Sequence, residues 1–191
     1  MLVAAMFPTT VGGGAKSPSS GTFTTLVLPD YGHEVVGFWS TGNGSFYSGS
    51  DGANTVIAAV SIRNVTVPVG KTVASAFLRM EVVDAAPLSS HEHRIYAQKV
   101  AAPAAISGSN LPSTWASTTA FTAVATGGSN VGVRTYNVLA LVQEIIAAGW
   151  IDGGRMNFKL PWVGVPALDE YILWAAPSGN ATAAYLDLTY V

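Results

Sequence analysis

Thr135-Tyr-Asn-Val-Leu-Ala-Leu-Val-Gln-Glu-Ile-Ile-Ala-Ala-Gly-Trp150 is unlike the rest of this chain. Val138, Leu141, Val142, Ile145 and Ile146 fall at the i, i+3, i+4, i+7, i+8 spacing of an amphipathic helix. Asn137 is suited to cap its start, and Gly149 to end it in the left-handed conformation. The spacing predicts one helix near 137–148, with Trp150 packing back over its end. Outward from there the chain reads as strand. Ala184-Tyr-Leu-Asp-Leu-Thr-Tyr190 places Leu186, Leu188 and Tyr190 on one face. A single helix among strands is expected to plug one open end of a β core, its apolar stripe facing inward.

The strand signal begins at Thr22. Thr22–Leu28 is β-branched and aromatic, and Val35–Ser40 carries Phe38 and Trp39. Thr55–Ile62 is apolar on both faces, as a central strand is. Ala74–Val83 sets Ala76, Leu78, Met80 and Val82 against Phe77, Arg79 and Glu81. Glu92–Val100 and Tyr171–Ala175 add two more strands. Arg155–Trp162 alternates Met156, Phe158 and Leu160 with Arg155, Asn157 and Lys159. Turn residues punctuate the series at Gly42-Asn-Gly44, Ser50-Asp-Gly52, Pro68-Val-Gly70 and Gly153-Gly154. Such spacing predicts an all-β, jelly-roll-like β-sandwich with one short helix. No repeat or linker divides residues 22–191, which read as a single domain. Residues 1–21, broken by Gly12-Gly-Gly14 and Ser17-Pro-Ser-Ser-Gly21, read as an N-terminal arm.

Charged residues make up only 10% of the 191, hydrophobic residues 49%, and the mean hydropathy is +0.37. Globular chains carry about 25% charged residues. So little charge leaves two coverings for the surface: Ser, Thr, Gly and Asn, or other subunits, because obligate interfaces are apolar and poor in charge. Both are expected here. A net charge of −2 with no Lys/Arg cluster argues against nucleic acid as a partner. The absence of cysteine excludes disulfides and thiolate ligands or nucleophiles. Met1–Pro8 is apolar but short and lacks a basic flank, so it reads neither as a secretion signal nor as a membrane span. No membrane partner is expected.

Several segments together resemble a known module. Val67-Pro-Val-Gly-Lys-Thr-Val73 runs into Ala76-Phe-Leu-Arg79, and Trp115-Ala-Ser-Thr-Thr-Ala120 follows. Then come Tyr136-Asn-Val-Leu-Ala-Leu-Val-Gln-Glu144, Gly149-Trp150, Gly153-Gly-Arg-Met-Asn-Phe158 and Tyr185-Leu-Asp-Leu-Thr-Tyr190. The pattern, over roughly residues 55–191, resembles the jelly-roll module of bacterial surface proteins and tailed-phage virion proteins, related to the DNRLRE, carbohydrate-binding-like domains. One departure is Asn137, where that module usually has Asp; both residues cap helices. The resemblance implies an architecture, and one fold hosts many roles.

Candidate chemistry is sparse. His91 and His93 would share one face of a strand, close enough to hold one metal, with His33 and Glu34 as the only distant co-ligands. A histidine at a sheet edge or in the interior is the simpler reading. Asp51, Asn54 and Asp187 are the first choices for a structural calcium of the kind such modules sometimes bind, but Asp-Gly is an ordinary turn, and calcium needs about six to eight oxygens. Among Asp30, Glu34, Asp84, Asp152, Asp169 and Glu170, no spacing nominates a glycosidase pair. Trp39, Phe46 and Tyr47 surround one loop, Gly42–Gly52, and Trp162, Tyr171 and Trp174 bracket another. They suit a core or interface better than sugar stacking. The sequons at Asn43, Asn64 and Asn180 carry little weight in a Ser/Thr-rich chain. The expectation is therefore no catalytic, cofactor or metal site.

The expected role is structural: a phage virion protein, a capsid decoration (cement) protein that contacts the major capsid protein and self-associates as a trimer or dimer. Its expected location is the virion, after assembly in the host cytoplasm. The alternative is a carbohydrate-binding module of a surface or tail adhesin, with a glycan as partner.

Overall fold

The computed structural model describes residues 19–24, 31–41, 45–52, 54–85, 92–124, 131–164, 170–175 and 184–191. In chain order these form β1 (Ser19–Thr24), β2 (Tyr31–Val35), β3 (Phe38–Ser40), β4 (Ser45–Asp51), β5 (Asn54–Ile62), β6 (Val73–Ala85) and β7 (Glu92–Ala97). There follow β8 (Thr122–Val124), β9 (Gly132–Asn137), α1 (Leu139–Ala147), β10 (Met156–Leu160), β11 (Trp162–Val163), β12 (Tyr171–Ala175) and β13 (Tyr185–Tyr190). Each of these strand pairs is antiparallel.

Neighbouring strands trace a nearly closed circuit: β9, β6, β12, β4, β5, β10, β7, β8. Thr122 Oγ1 donates to the Asn137 carbonyl at 2.6 Å, bringing β8 against β9 where the circuit would close. The result is an all-β, barrel-like sandwich of jelly-roll type. Closure leaves few exposed edges to pair with other chains. β6 organises it. Its 13 residues carry β13 and then β12 along one edge, and β9 along the other. β1 extends the sheet beyond β13, and the β2–β3 hairpin extends it beyond β5.

The interior is filled by the inward residues of these strands, among them Phe46, Ile62, Leu78, Met80, Phe158, Trp174 and Leu186. α1 inserts Leu141, Val142 and Ile145 into that same core, so the helix plugs one end, as its stripe predicts. Its start lies slightly later than expected: Val138 is the first flanking residue, while Asn137 Oδ1 accepts from the Leu139 amide at 3.1 Å. Gly149 follows the C-cap with φ +86, the left-handed exit that glycine tolerates. Trp150 packs on the core and donates Nε1–H to the Arg155 carbonyl at 3.1 Å.

Three strand expectations are corrected. Val35–Ser40 is not one strand but the end of β2, a two-residue turn and β3, with Val36 and Gly37 at φ 47 and 80. Two successive positive φ values match the twist of antiparallel strands, which is why such turns join hairpins. The Gly42–Gly52 region is largely β4, whose Phe46 is core. β10 is buried on both faces, Asn157 and Lys159 included, because residues 98–118 lie over its outer side.

Candidate functional site

One fully buried polar cluster among the described residues was not legible in the sequence. His93 on β7 and Ser48 on β4 are each fully buried, and Ser48 Oγ lies 2.9 Å from His93 Nδ1. The Trp174 indole N–H on β12 donates to the same Ser48 oxygen at 3.2 Å. That donor occupies one of the two lone pairs of Ser48, and the other lone pair and the hydroxyl proton serve the contact with His93 Nδ1. Nε2 has no hydrogen-bond partner among the described residues. Trp162 meets the ring edge-on, with centroids 4.3 Å apart. Burial pushes the His93 pKa down to about 3, against the weaker upward pull of the Glu170 charge.

A serine, a histidine and a carboxylate near one another invite comparison with a nucleophilic triad. That chemistry needs Nε2 on the serine, an acid on Nδ1, and access for substrate. Here the serine occupies Nδ1, Trp162 covers the ring, and both side chains are sealed from solvent. The cluster is a structural bolt joining β4, β7 and β12. Gly49, beside it, has φ +138, and a Cβ there would overlap the Glu170 carbonyl oxygen. The same approach allows the Ser50 amide to donate to that carbonyl at 2.8 Å.

The other residues singled out by sequence are dispersed. His91, Asp30, Asp169, Asn43 and Asn180 lie outside the described residues. His33 packs against Tyr47 with the rings tilted at 46° and their centroids 4.4 Å apart, and Glu34 is buried elsewhere, so neither joins His93. Among the described residues no three His, Asp or Glu side chains stand together as a metal site. Asp51 and Asn54 pair across the β4–β5 turn, where Ser50 Oγ donates to the Gly52 carbonyl at 2.9 Å. Asp187 is on β13, which pairs with neither of those strands, and its Oδ2 lies 2.9 Å from Arg79 Nε. That contact is misaligned for a hydrogen bond and acts as an ion pair. Asp84 accepts from the Tyr171 hydroxyl at 3.0 Å, and Asp152 from the Val67 amide at 2.7 Å. Of the candidate sugar-stacking aromatics, Phe46, Trp162 and Trp174 are buried, and Trp39 packs on a small outer cluster of Ala59, Ile106 and Trp115.

A second polar network lies under residues 98–118. Glu34 accepts from the Ser113 amide at 2.8 Å and from its hydroxyl at 2.6 Å. Lys159 Nζ donates to the Pro112 carbonyl at 2.8 Å. Burial lowers the Lys159 pKa, and the charge of Glu34 offsets part of that. Asn157 Nδ2 donates to Gln98 Oε1 at 2.8 Å and to the Ala104 carbonyl at 2.9 Å. These residues fasten a long loop to the sheet.

Residues of the helix and of the Gly-Trp segment act in the same way. Glu144 on α1 accepts from the Thr119 and Ala120 amides at 2.9 and 2.6 Å and lies 3.2 Å from Lys99 Nζ. Those backbone donors chiefly hold its pKa below the usual value. The Gly-Trp turn zips onto the stretch before β6, with Val65 and Gly153–Gly154 exchanging backbone bonds at 2.8 and 2.9 Å. Two hollows flank this turn. One of about 300 Å³ is lined by Arg63, Asn64, Pro103, Ile151 and Arg155, and one of about 190 Å³ by Val67, Pro68, Val69, Ile146 and Trp150. Comparison of the chain with protein-family models and with curated proteins gives no match.

Proposed function

We propose that this chain is a non-enzymatic virion protein, a capsid decoration (cement) protein that binds the outside of a capsid lattice and stabilises it. The observation that carries the reading is the apolar tip of the β2–β3 hairpin. Val36 and Phe38 are 64% and 78% exposed there, on a chain with only 10% charged residues. Isolated exposed apolar residues are ordinary. A β-branched residue at φ 47 is not, because its Cβ crowds the backbone in that conformation. The tip is thus held outward at a cost in strain.

A closed β-sandwich offering a small apolar knob suits docking into a repeated lattice of major capsid protein. Each contact is weak, and self-association into a trimer or dimer multiplies them. The resemblance of the helix and Gly-Trp segments to modules of tailed-phage virion proteins supports the same reading. The burial of Phe46, Trp162 and Trp174 counts against the carbohydrate-binding alternative, because their ring faces are committed to packing.

The test is co-sedimentation with purified phage capsids that lack decoration. Saturable binding at a fixed ratio per capsomer is expected. Val36→Asp with Phe38→Asp should weaken it about tenfold or more, roughly 1.4 kcal/mol at least. Thermal melting of the free protein should be unchanged or slightly raised by the lost strain. Failure to bind capsids, together with selective retention on a glycan array, would replace this reading with the adhesin module.

A further inference from the structure

With Ala76, Leu78, Met80 and Val82 of β6 turned into the core, Phe77, Arg79, Glu81 and Val83 point out of the sheet. Along the strand this outer row reads apolar, positive, negative, apolar. Its neighbours on β9 widen the apolar end. Val133 pairs with Glu81, and Val131 stands one step beyond the Val82–Gly132 pair, opposite Val83. Val83, Val131 and Val133 are 42%, 59% and 47% exposed, so three β-branched side chains lie side by side in solvent. Scattered exposed apolar residues need no explanation, whereas adjoining ones mark interaction surfaces.

The two charges of the row are held differently. Arg79 is positioned within its own chain: its Nε lies 2.9 Å from Asp187 Oδ2, and its guanidinium carbon lies 5.4 Å from the Tyr185 ring centroid. Its side chain is still 40% exposed. Glu81 makes no ion pair in its own chain among the described residues. Successive outward residues of a strand stand about 7 Å apart, so the two charges form a short ordered pattern. Two copies of this face can meet about a twofold axis that lies in the contact plane and crosses β6 at Met80. Their β6 strands then run antiparallel. Arg79 faces the partner's Glu81, Glu81 faces the partner's Arg79, and Phe77 faces the partner's Val83. A row reading apolar, positive, negative, apolar complements itself when reversed, which is what an isologous contact demands.

We propose that the outer face of β6 and β9 is a twofold interface between two copies of this chain, centred between Arg79 and Glu81. The crossed charges fix the register, and Val83, Val131 and Val133 supply apolar surface to bury. This inference rests on the self-association expected of the virion reading and gives it a surface and a symmetry, two copies and not three. The β2–β3 tip, on a hairpin beyond β5, takes no part in it.

Sedimentation velocity of the full chain over a concentration series tests it, and a monomer–dimer equilibrium is the expected result. Glu81→Lys sets like charges against each other at both crossings and should weaken the dimer about tenfold or more. Val83→Asp, at an exposed side chain, should do the same, and neither change should shift the melting temperature. Arg79→Glu should also give a monomer. Mixed with the Glu81→Lys protein it restores opposite charges at both crossings, so the mixture should form a heterodimer although neither variant dimerises alone. Arg79→Glu loses the Asp187 pair as well, so its melting is measured first, and if it does not fold the two single variants decide. A wild-type monomer throughout the series, a closed trimer, or a dimer that Glu81→Lys and Val83→Asp leave unchanged would overturn the inference. Capsid binding is read separately through Val36 and Phe38. A chain that binds capsids as a monomer overturns this inference alone, and one that dimerises through β6 without binding capsids overturns only the virion role.

Discussion

His93 illustrates how a single side chain acquires meaning only from its surroundings. Its ring is neutral in the folded protein down to about pH 3, whereas an exposed histidine titrates near 6.5. The sign follows from proton counting. As the pH drops below 6.5 the unfolded chain takes up a proton that the folded chain refuses, so stability falls progressively between about 6.5 and 3. Denaturant melts across that range should show the loss, and His93→Gln should flatten this part of the profile even if it lowers stability overall. Ser48→Ala should cost about 1–3 kcal/mol, since it strips both the Trp174 N–H and His93 Nδ1 of a buried partner. Gly49→Ala should be more damaging, about 3 kcal/mol or more, because a Cβ meets the Glu170 carbonyl and the backbone is left-handed. Expression and melting of the purified variants decide both.

Among the elements, α1 does two jobs. Its apolar stripe seals the core, and its polar face, through Glu144, holds the loop at Thr119–Ala120. Glu144→Gln removes the charge but keeps a carbonyl acceptor. It should cost about 1 kcal/mol, since the carboxylate is partly exposed and its attraction screened. Amide exchange at Thr119 and Ala120 should quicken more than in the strands. The depressed Glu144 pKa adds stability above the usual carboxylate range that is lost as the pH falls through the folded value. β10 depends on the loop over it: Glu34→Ala leaves Lys159 without a compensating charge, and about 3 kcal/mol is expected, readable by urea melts.

For the whole molecule, the sandwich is nearly closed and its polar clusters bind layers together, while apolar side chains stand out at the β2–β3 tip and beside the Gly-Trp turn. Trp174→Ala should cost about 3–5 kcal/mol, because the indole is fully buried in the core, and should not act through lost ligand contact. The mass of the purified protein by light scattering reports on the expected self-association. A closed trimer or dimer accounts for the scarcity of charge, and a monomer requires the exposed apolar sites to be met by other partners.

Periodicity by itself determined the β class, the single helix and most strands, because alternation and the 3.6-residue stripe are local consequences of which face meets the core. Leu78, Met80 and Val82 on β6, or Leu141 and Ile145 on α1, announce their burial through spacing alone. Only the tertiary structure decided where polar residues went. Nothing near His93 in the chain marks Ser48 or Trp174 as its partners, because they come from strands 45 and 81 residues away. Asn157 and Lys159 read as an ordinary polar face until a loop more than 40 residues upstream covers them. The tip at Val36 stayed hidden for a related reason: a strained turn shows in backbone angles that go with the pairing of Val35 and Phe38 across the β2–β3 hairpin, not in residue preference. The burial of apolar side chains is written in local pattern, whereas the burial of polar residues and hydrogen bonding across the core are set by which distant segments become neighbours.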